Sequence, residues 1–162
     1  MAKRGQGATP ATVALTKMGV PFTPRSYVHD PSERDFGAEA ARALGVDERR
    51  VFKTLLAEID GALVVAVVPV AGKLDLKALA GAVGGKRAQM ADPRIAERKT
   101  GYVVGGISPV GQRTRLPTVI DASAREFETV LISGGRRGFD LEIAPDDLRR
   151  AVAAEYAEIG RG

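Results

Sequence analysis

The chain has 162 residues, 44% hydrophobic and 27% charged, which is enough apolar material for one domain with a sizeable core and too much for a disordered chain. It contains no Cys and a single His, so disulfide frameworks, thiolate metal sites and cysteine nucleophiles are excluded, and a His-based zinc site or a Ser-His-Asp triad has no redundancy to draw on. The formal net charge is only +4, and the longest apolar run, Ala62 to Ala71, contains Pro69 and is too short to cross a bilayer.

Glycine and proline punctuate short elements throughout. Thr9-Pro10 and Gly19 bracket a helix, with Thr as N-cap, Pro at the first helical position and Gly after the end. Phe22 to Tyr27 reads as a strand that Pro24 confines to a sheet edge or a bulge. Gly37 to Leu44 is a second helix closed by Gly45. Val51 to Ile59 and Ala62 to Val70 are β-branched apolar runs joined by Asp60-Gly61, a strong hairpin signal. Asp75 to Val83 is helical, and Asp92-Pro93 starts another helix that ends near Gly101. Tyr102 to Val104 reads as a strand running into Gly105-Gly106-Ile107-Ser108-Pro109. Thr118 to Asp121 and Phe127 to Ser133 are further strands, and Gly134 to Gly138 turns the second back into Phe139 to Ile143. Pro145 opens a C-terminal helix carrying Leu148, Ala151 and Val152 at helical spacing. Hairpins beside helical crossovers define a mixed α/β (α+β) domain, and the expected architecture is a mixed sheet curled into a barrel with helices around it. No repeat or long linker divides residues 1–162, so a single domain is expected, with residues 1–8 as a flexible tail. The basic start leads into no apolar segment of the secretory kind, and the expected location is cytoplasmic, with no membrane partner.

The charge is unevenly placed. Between Lys86 and Arg115 seven basic residues face two acidic ones, Asp92 and Glu97, while the remainder of the chain is near neutral. One basic segment on a neutral body suits a polyanion such as RNA, though a solvated basic face has the same composition. Aromatic residues make up only 5%, which argues against a base-stacking platform for single strands.

Phosphate loops are absent. Gly81-Ala-Val-Gly-Gly85-Lys86-Arg87 places Arg87 where a magnesium-binding Ser or Thr would stand, and no G-x-G-x-x-G follows a strand. Lys53 is more informative: period-two alternation puts it on the face of Leu55, Ala57 and Ile59, where a lysine either snorkels outward or meets an anion in a pocket. The adjacent glycines Gly105 and Gly106 let backbone N–H groups approach a ligand, and Pro109 fixes the loop exit. Ser133-Gly134-Gly135 repeats the arrangement. Arg136 and Arg137 read as solvated hairpin charges. His29 has Asp30 beside it, but neighbours on a strand point to opposite faces, so they form no dyad and a structural imidazole is expected.

Taken together, Tyr27-x-His-Asp-Pro, Phe36-Gly-x-Glu-Ala, Val51-Phe-Lys-Thr-Leu, Gly101-Tyr-x-Val-Gly-Gly-Ile-Ser-Pro-x-Gly-Gln112, Ser133-Gly-Gly-x-Arg-Gly138 and Leu141-Glu-Ile-Ala-Pro145 resemble the YbaK/EbsC family of aminoacyl-tRNA deacylases, related to the editing domain of bacterial prolyl-tRNA synthetases. The resemblance spans about Thr9 to Ile159 and implies the family's curled mixed sheet. It implies Lys53 as the essential lysine, with Gly105 and Gly106 supplying backbone donors from a loop that continues through Ile107 and Ser108 to Pro109. Tyr27, Phe36, Thr54, Ser133 and Asp140 would line the pocket around the aminoacyl end of the tRNA. Thr54 matches the members that clear Cys-tRNA(Pro), whereas those acting on Ala-tRNA(Pro) tend to carry Asn there. The expected substrate is therefore the acceptor end of mischarged tRNA(Pro), with prolyl-tRNA synthetase as a transient partner and with no metal or cofactor. A deacylase for another mischarged tRNA, and a non-catalytic tRNA- or synthetase-binding module, are the alternatives. The missing nucleophile agrees with a cysteinyl ester that supplies its own thiol.

Overall fold

A computed structural model describes residues 8–162; the expected tail falls on residues 1–8, of which 1–7 lie outside the described residues. The element order is α1 (Pro10–Met18), β1 (Thr23–Ser26), α2 (Phe36–Leu44), β2 (Phe52–Ile59), β3 (Ala62–Pro69), β4 (Lys73–Leu74), α3 (Leu76–Ala82), β5 (Ala88–Met90), α4 (Pro93–Thr100), β6 (Thr118–Asp121), β7 (Val130–Arg136), β8 (Phe139–Ile143), α5 (Pro145–Ala151), β9 (Glu155–Ala157) and β10 (Gly160–Arg161). Short 3-10 turns at Glu48–Arg50 and Ala122–Glu126 precede β2 and β7.

Local chemistry sets the boundaries. Thr9 and Thr12 form a reciprocal capping box at the start of α1: Thr12 N–H donates to Thr9 Oγ1 at 3.2 Å and Thr9 N–H to Thr12 Oγ1 at 2.9 Å. Asp35, Asp75 and Asp92 cap α2, α3 and α4, each side chain accepting from a first-turn amide. Asp60 and Gly61, both at positive φ, close β2 onto β3 with Ile59 opposite Ala62, the tight turn expected of that dipeptide.

The strands form a five-stranded mixed sheet in the order β5-β2-β3-β6-β9, a three-stranded antiparallel sheet β1-β8-β7 and a two-stranded ribbon β10-β4. Crossovers make β6 parallel to both β3 and β9. A single parallel bridge, Val51 to Leu131, joins the two larger sheets at the start of β2. The expected mixed sheet is thus present, accompanied by two smaller sheets, and the described residues form no closed barrel. Alternation along β2 and β3 divides the core. Phe52, Leu56, Val65 and Val67 pack toward the three-stranded sheet and α1, while Ala57, Ile59, Val64, Ala66 and Val68 pack toward Leu79 and Ala80 of α3. β1 is an edge strand, as Pro24 requires.

Two local readings need correction. Tyr102 to Val104 is not a strand. Tyr102 is instead buried, with its hydroxyl donating to Val110 O at 2.6 Å, while Val103 and Val104 face solvent. The strand expected to end at Ser133 runs on to Arg136. Gly134 and Gly135 form a bulge between Ser133 and Arg136, and the reversal itself is Arg137-Gly138.

Candidate active site

The β5 strand pairs with β2 only over Ala57–Ile59, and Ala91 N–H then donates to Leu56 O at 3.0 Å before the chain leaves into α4. Beyond Leu56 the margin of β2 opens onto a cleft of about 370 Å³. Its strand walls carry Lys53 and Thr54 from β2 and Ser133 and Asp140 from β7 and β8, where these two residues lie directly opposite one another. Phe36, Gly37 and Ala40 of α2 form another side, Pro93 and Ala96 of α4 a further one, and Val104, Gly105 and Ile107 complete the rim. Gly37 is required for this closure: a Cβ there would stand 2.4 Å from Val70 Cγ2.

Eight of the eleven expected site residues therefore meet in one cleft: Tyr27, Phe36, Lys53, Thr54, Gly105, Ile107, Ser133 and Asp140. Three do not line it. Gly106 donates its N–H to Val103 O at 2.8 Å and packs on the Arg136 backbone, so this amide is committed to the turn. Ser108 is fully buried, and its hydroxyl accepts from Val110 N–H at 3.2 Å. Pro109 borders a smaller cavity beside the end of α1. The amides of Gly105 and Ile107 have no hydrogen-bond partner among the described residues, which makes them the loop donors available to a ligand.

Each polar group in the cleft has a distinct state. Lys53 is half-buried, faces the Leu55–Ala57–Ile59 side as alternation predicts, and donates to Gly72 O at 3.3 Å. It forms no ion pair among the described residues, so its charge is available to an anion. Thr54 is 9% exposed and its Oγ1 has no hydrogen-bond partner, a buried polar atom that a ligand could satisfy. Burial pushes the Asp140 carboxyl up to about 7, and among the described residues it has no ion-pair partner. Burial, with the Asp140 charge adding to it, pushes the Tyr27 hydroxyl up to about 12, so it stays protonated and can donate. Ser133 Oγ accepts from Gly135 N–H at 3.1 Å and has no hydrogen-bonded base among the described residues.

His29 lies outside the cleft lining. Its Nδ1 meets Glu39 Oε1 at 2.7 Å, and Glu39 Oε2 accepts from Asp30 N–H at 2.6 Å. The acid partner of the imidazole is thus Glu39 of α2, and the pair ties the segment after β1 to that helix. Arg137 departs most from its sequence reading. Its guanidinium lies 4.5 Å from the centre of the Phe36 ring and donates from Nε and Nη2 to Val104 O at 3.0 and 2.6 Å. Only the Arg137-Gly138 turn brings it there, a contact 33 residues away in sequence that no local pattern marks.

Comparison with known proteins gives the family. The aminoacyl-tRNA editing domain signature matches residues 30–151, and the chain belongs to that family. It is 35% identical over 159 residues, covering 97% of this chain and 96% of the relative, to EbsC of Enterococcus faecalis, provisionally named a Cys-tRNA(Pro)/Cys-tRNA(Cys) deacylase. It is 31% identical over 141 residues, 84% of this chain and 89% of the relative, to the uncharacterized protein YwhH of Bacillus subtilis. Among solved structures, a protein provisionally described as a trans-editing enzyme for prolyl-tRNA synthetase superimposes with a TM-score of 0.81 at 25% identity, covering 94% of this chain and 96% of that one. A second, a hypothetical protein, superimposes with a TM-score of 0.84 at 26% identity, covering 94% and 100%. The family's activity is aminoacyl-tRNA editing by deacylation. Among the described residues no helix is long and apolar enough to cross a membrane.

Proposed function

We propose that this chain is a trans-editing deacylase that clears cysteine from mischarged tRNA(Pro), with the substrate thiol as nucleophile. The carrying observation is the composition of the cleft: Tyr27, Lys53, Thr54, Ser133 and Asp140 are among the polar side chains able to hold an ester, and the lining has no Cys, no His and no base-linked hydroxyl able to attack it. The name of the Enterococcus relative and Thr54 after the lysine support cysteine as the amino acid.

In this reading the aminoacyl group enters beside β2 with its α-ammonium toward Asp140. The Tyr27 hydroxyl and the amides of Gly105 and Ile107 donate toward the ester oxygens, and Lys53 holds charge on the carbonyl oxygen or the terminal phosphate. The cysteinyl sulfur attacks its own carbonyl carbon, the bond to the ribose oxygen breaks, and that oxygen takes the proton the thiol released. Water then opens the resulting thiolactone to free cysteine. The protein contributes orientation and electrostatics, the two effects that need no nucleophile of its own.

The tRNA body would lie against the outer side of α4. Arg113 N–H donates to Thr100 O at 2.9 Å, Thr114 N–H to Lys99 O at 3.0 Å and Arg113 Nη1 to Arg98 O at 3.3 Å. These bonds gather Arg98, Lys99 and Arg113 at one corner with no acidic partner among the described residues, on the helix whose other side lines the cleft. Prolyl-tRNA synthetase would lend selectivity for tRNA(Pro) in a transient complex, since this small domain offers no evident anticodon reader.

Deacylation of Cys-, Ser- and Ala-tRNA(Pro) under identical conditions tests the reading. The cysteinyl ester should be cleaved more than about 200-fold faster than the near-isosteric seryl ester, a gap beyond the roughly 10–200-fold that binding alone supplies between similar side chains. Comparable rates for cysteinyl and seryl esters would replace the thiol by an activated water, and a preference for the alanyl ester would move the chain to the other substrate class.

A further inference from the structure

The β7–β8 turn is the point on which three parts of the cleft converge. Gly138 O accepts from Tyr27 N–H at 2.9 Å, so the turn fixes the backbone of a cleft residue. The Arg137 guanidinium spends two donors on Val104 O while its Cζ lies over the Phe36 ring, 4.5 Å from the centroid. Gly105 fits between them: at φ +90° its missing Cβ would stand 2.7 Å from Arg137 Nε and 2.9 Å from Phe36 Cδ2 and Cε2. The 103–106 loop has little else to hold it. Val104 N–H donates to Glu97 Oε2 at 2.8 Å, Gly106 N–H closes the turn on Val103 O, and the Val103 and Val104 side chains are exposed.

We infer that Arg137 is a positioning residue for the deacylation reaction: it latches the Gly105 loop to Phe36 and so sets where the Gly105 and Ile107 amides point. The inference rests on the deacylase reading of the cleft. Geometry favours Arg over Lys for this task. A planar guanidinium can present two N–H groups to one carbonyl while its face covers an aromatic ring, whereas an ammonium is a point charge that must choose. The latch lies outside the strands, and Arg137 itself is exposed, so its removal leaves the core packing untouched. Without it the loop amides lose their aim, and misplacement of about 1 Å in catalytic groups costs on the order of 100-fold in rate.

The test uses the full chain as wild type, Arg137→Ala and Arg137→Lys, with two readouts. The first is kcat and KM for Cys-tRNA(Pro). The second is amide hydrogen exchange by NMR at Gly106, inside the latched turn, against Leu131 and Leu141 in the core strands. Arg137→Ala is expected to lower kcat by roughly 10- to 100-fold with KM changed less than about threefold, and to speed Gly106 exchange by about tenfold with Leu131 and Leu141 unchanged. Arg137→Lys should restore less than half of either loss. Unchanged kcat together with unchanged Gly106 exchange would overturn the latch, as would a rise in KM alone, which would make Arg137 a phosphate contact. Full rescue by Lys would also overturn it. Should the wild type cleave no aminoacyl-tRNA, the functional reading fails and the exchange result alone decides: faster exchange at Gly106 upholds the latch, and unchanged exchange removes it.

Discussion

The two sides of the cleft are built on opposite principles. The strand side, β2 with β7 and β8, is fixed by backbone ladders and by core side chains such as Phe52, Leu56, Ile132 and Leu141, nearly all of them buried. The loop side, Val104 to Ile107, has no ladder and is fixed by a few side chain-to-backbone bonds from Arg137 and Glu97. Charge and buried polarity come from the first side, through Lys53, Thr54 and Asp140; uncommitted amides come from the second. The division suits the chemistry. A charged group needs a rigid low-dielectric wall to have effect, whereas backbone donors are exposed only where regular structure stops.

The largest expected effect belongs to the strand side. Lys53→Ala should remove deacylation to background while the melting temperature stays within a few degrees, because the ammonium is half-buried and makes a single bond to Gly72 O. Lys53→Arg should fail as well, since the larger planar head cannot occupy the position of a compact point charge. Full activity in either variant would remove Lys53 from the mechanism and leave the strand side with polarity alone.

The loop side is broken most directly at Gly105. Gly105→Ala must place a methyl against Phe36 and Arg137 at a φ of +90°, a conformation that costs alanine about 1–2 kcal/mol before any clash is counted. Deacylation should fall by roughly 10- to 100-fold. An alanine variant with unchanged kcat would show that the loop amides take no part, and the comparison between the two sides would collapse to one.

The two sides were unequally legible in the sequence. The β2–β3 hairpin, the five helices and the edge position of β1 follow from caps, alternation and Asp60-Gly61, signals contained within a few residues. Lys53 was placed on its correct face by period two alone. The distribution of the glycine-loop residues was not legible: a run from Gly105 to Pro109 reads as one motif, yet Gly106 is committed to a turn, Ser108 is buried and Pro109 faces elsewhere. Strands β5, β9 and β10, two or three residues each, are too short for any period to register and exist because neighbouring strands offer them an edge. Arg137 and the Glu39 partner of His29 depend on tertiary approach, which local pattern does not encode.

A smaller effect separates burial from chemistry on the strand side. The folded protein holds Asp140 protonated up to about pH 7, whereas the unfolded chain releases that proton near 3.8. Between those values the folded state binds more protons, so this group's contribution to stability falls as pH rises from about 4 to 7 and levels off above. Asp140→Asn should erase that fall, which is on the order of 1–4 kcal/mol, and melting curves at pH 5 and pH 8 would read it. An equal loss of stability between the two pH values in wild type and Asp140→Asn would mean that the carboxylate is charged in place, held by a group of the protein.

The smallest effect lies outside both sides, at the Arg98, Lys99 and Arg113 corner. If phosphates dock there, tRNA binding releases counterions and weakens with salt, and each lost phosphate contact reduces the logarithmic slope by about 0.7–0.9. Replacing the three together by Gln should therefore flatten the slope by up to about 2–3, while single-turnover cleavage of saturating substrate stays within about twofold, because none of the three lines the cleft. Arg94 serves as the internal control. It belongs to the same basic segment but faces Asp92 at 3.6 Å, so its charge is already partly answered and Arg94→Gln should change the slope by less than the average of the other three. A slope unaltered by the triple substitution would leave the corner as solvated surface charge, and would place the acceptor stem on another side of the cleft, with Arg34 at its rim as the next cation to replace.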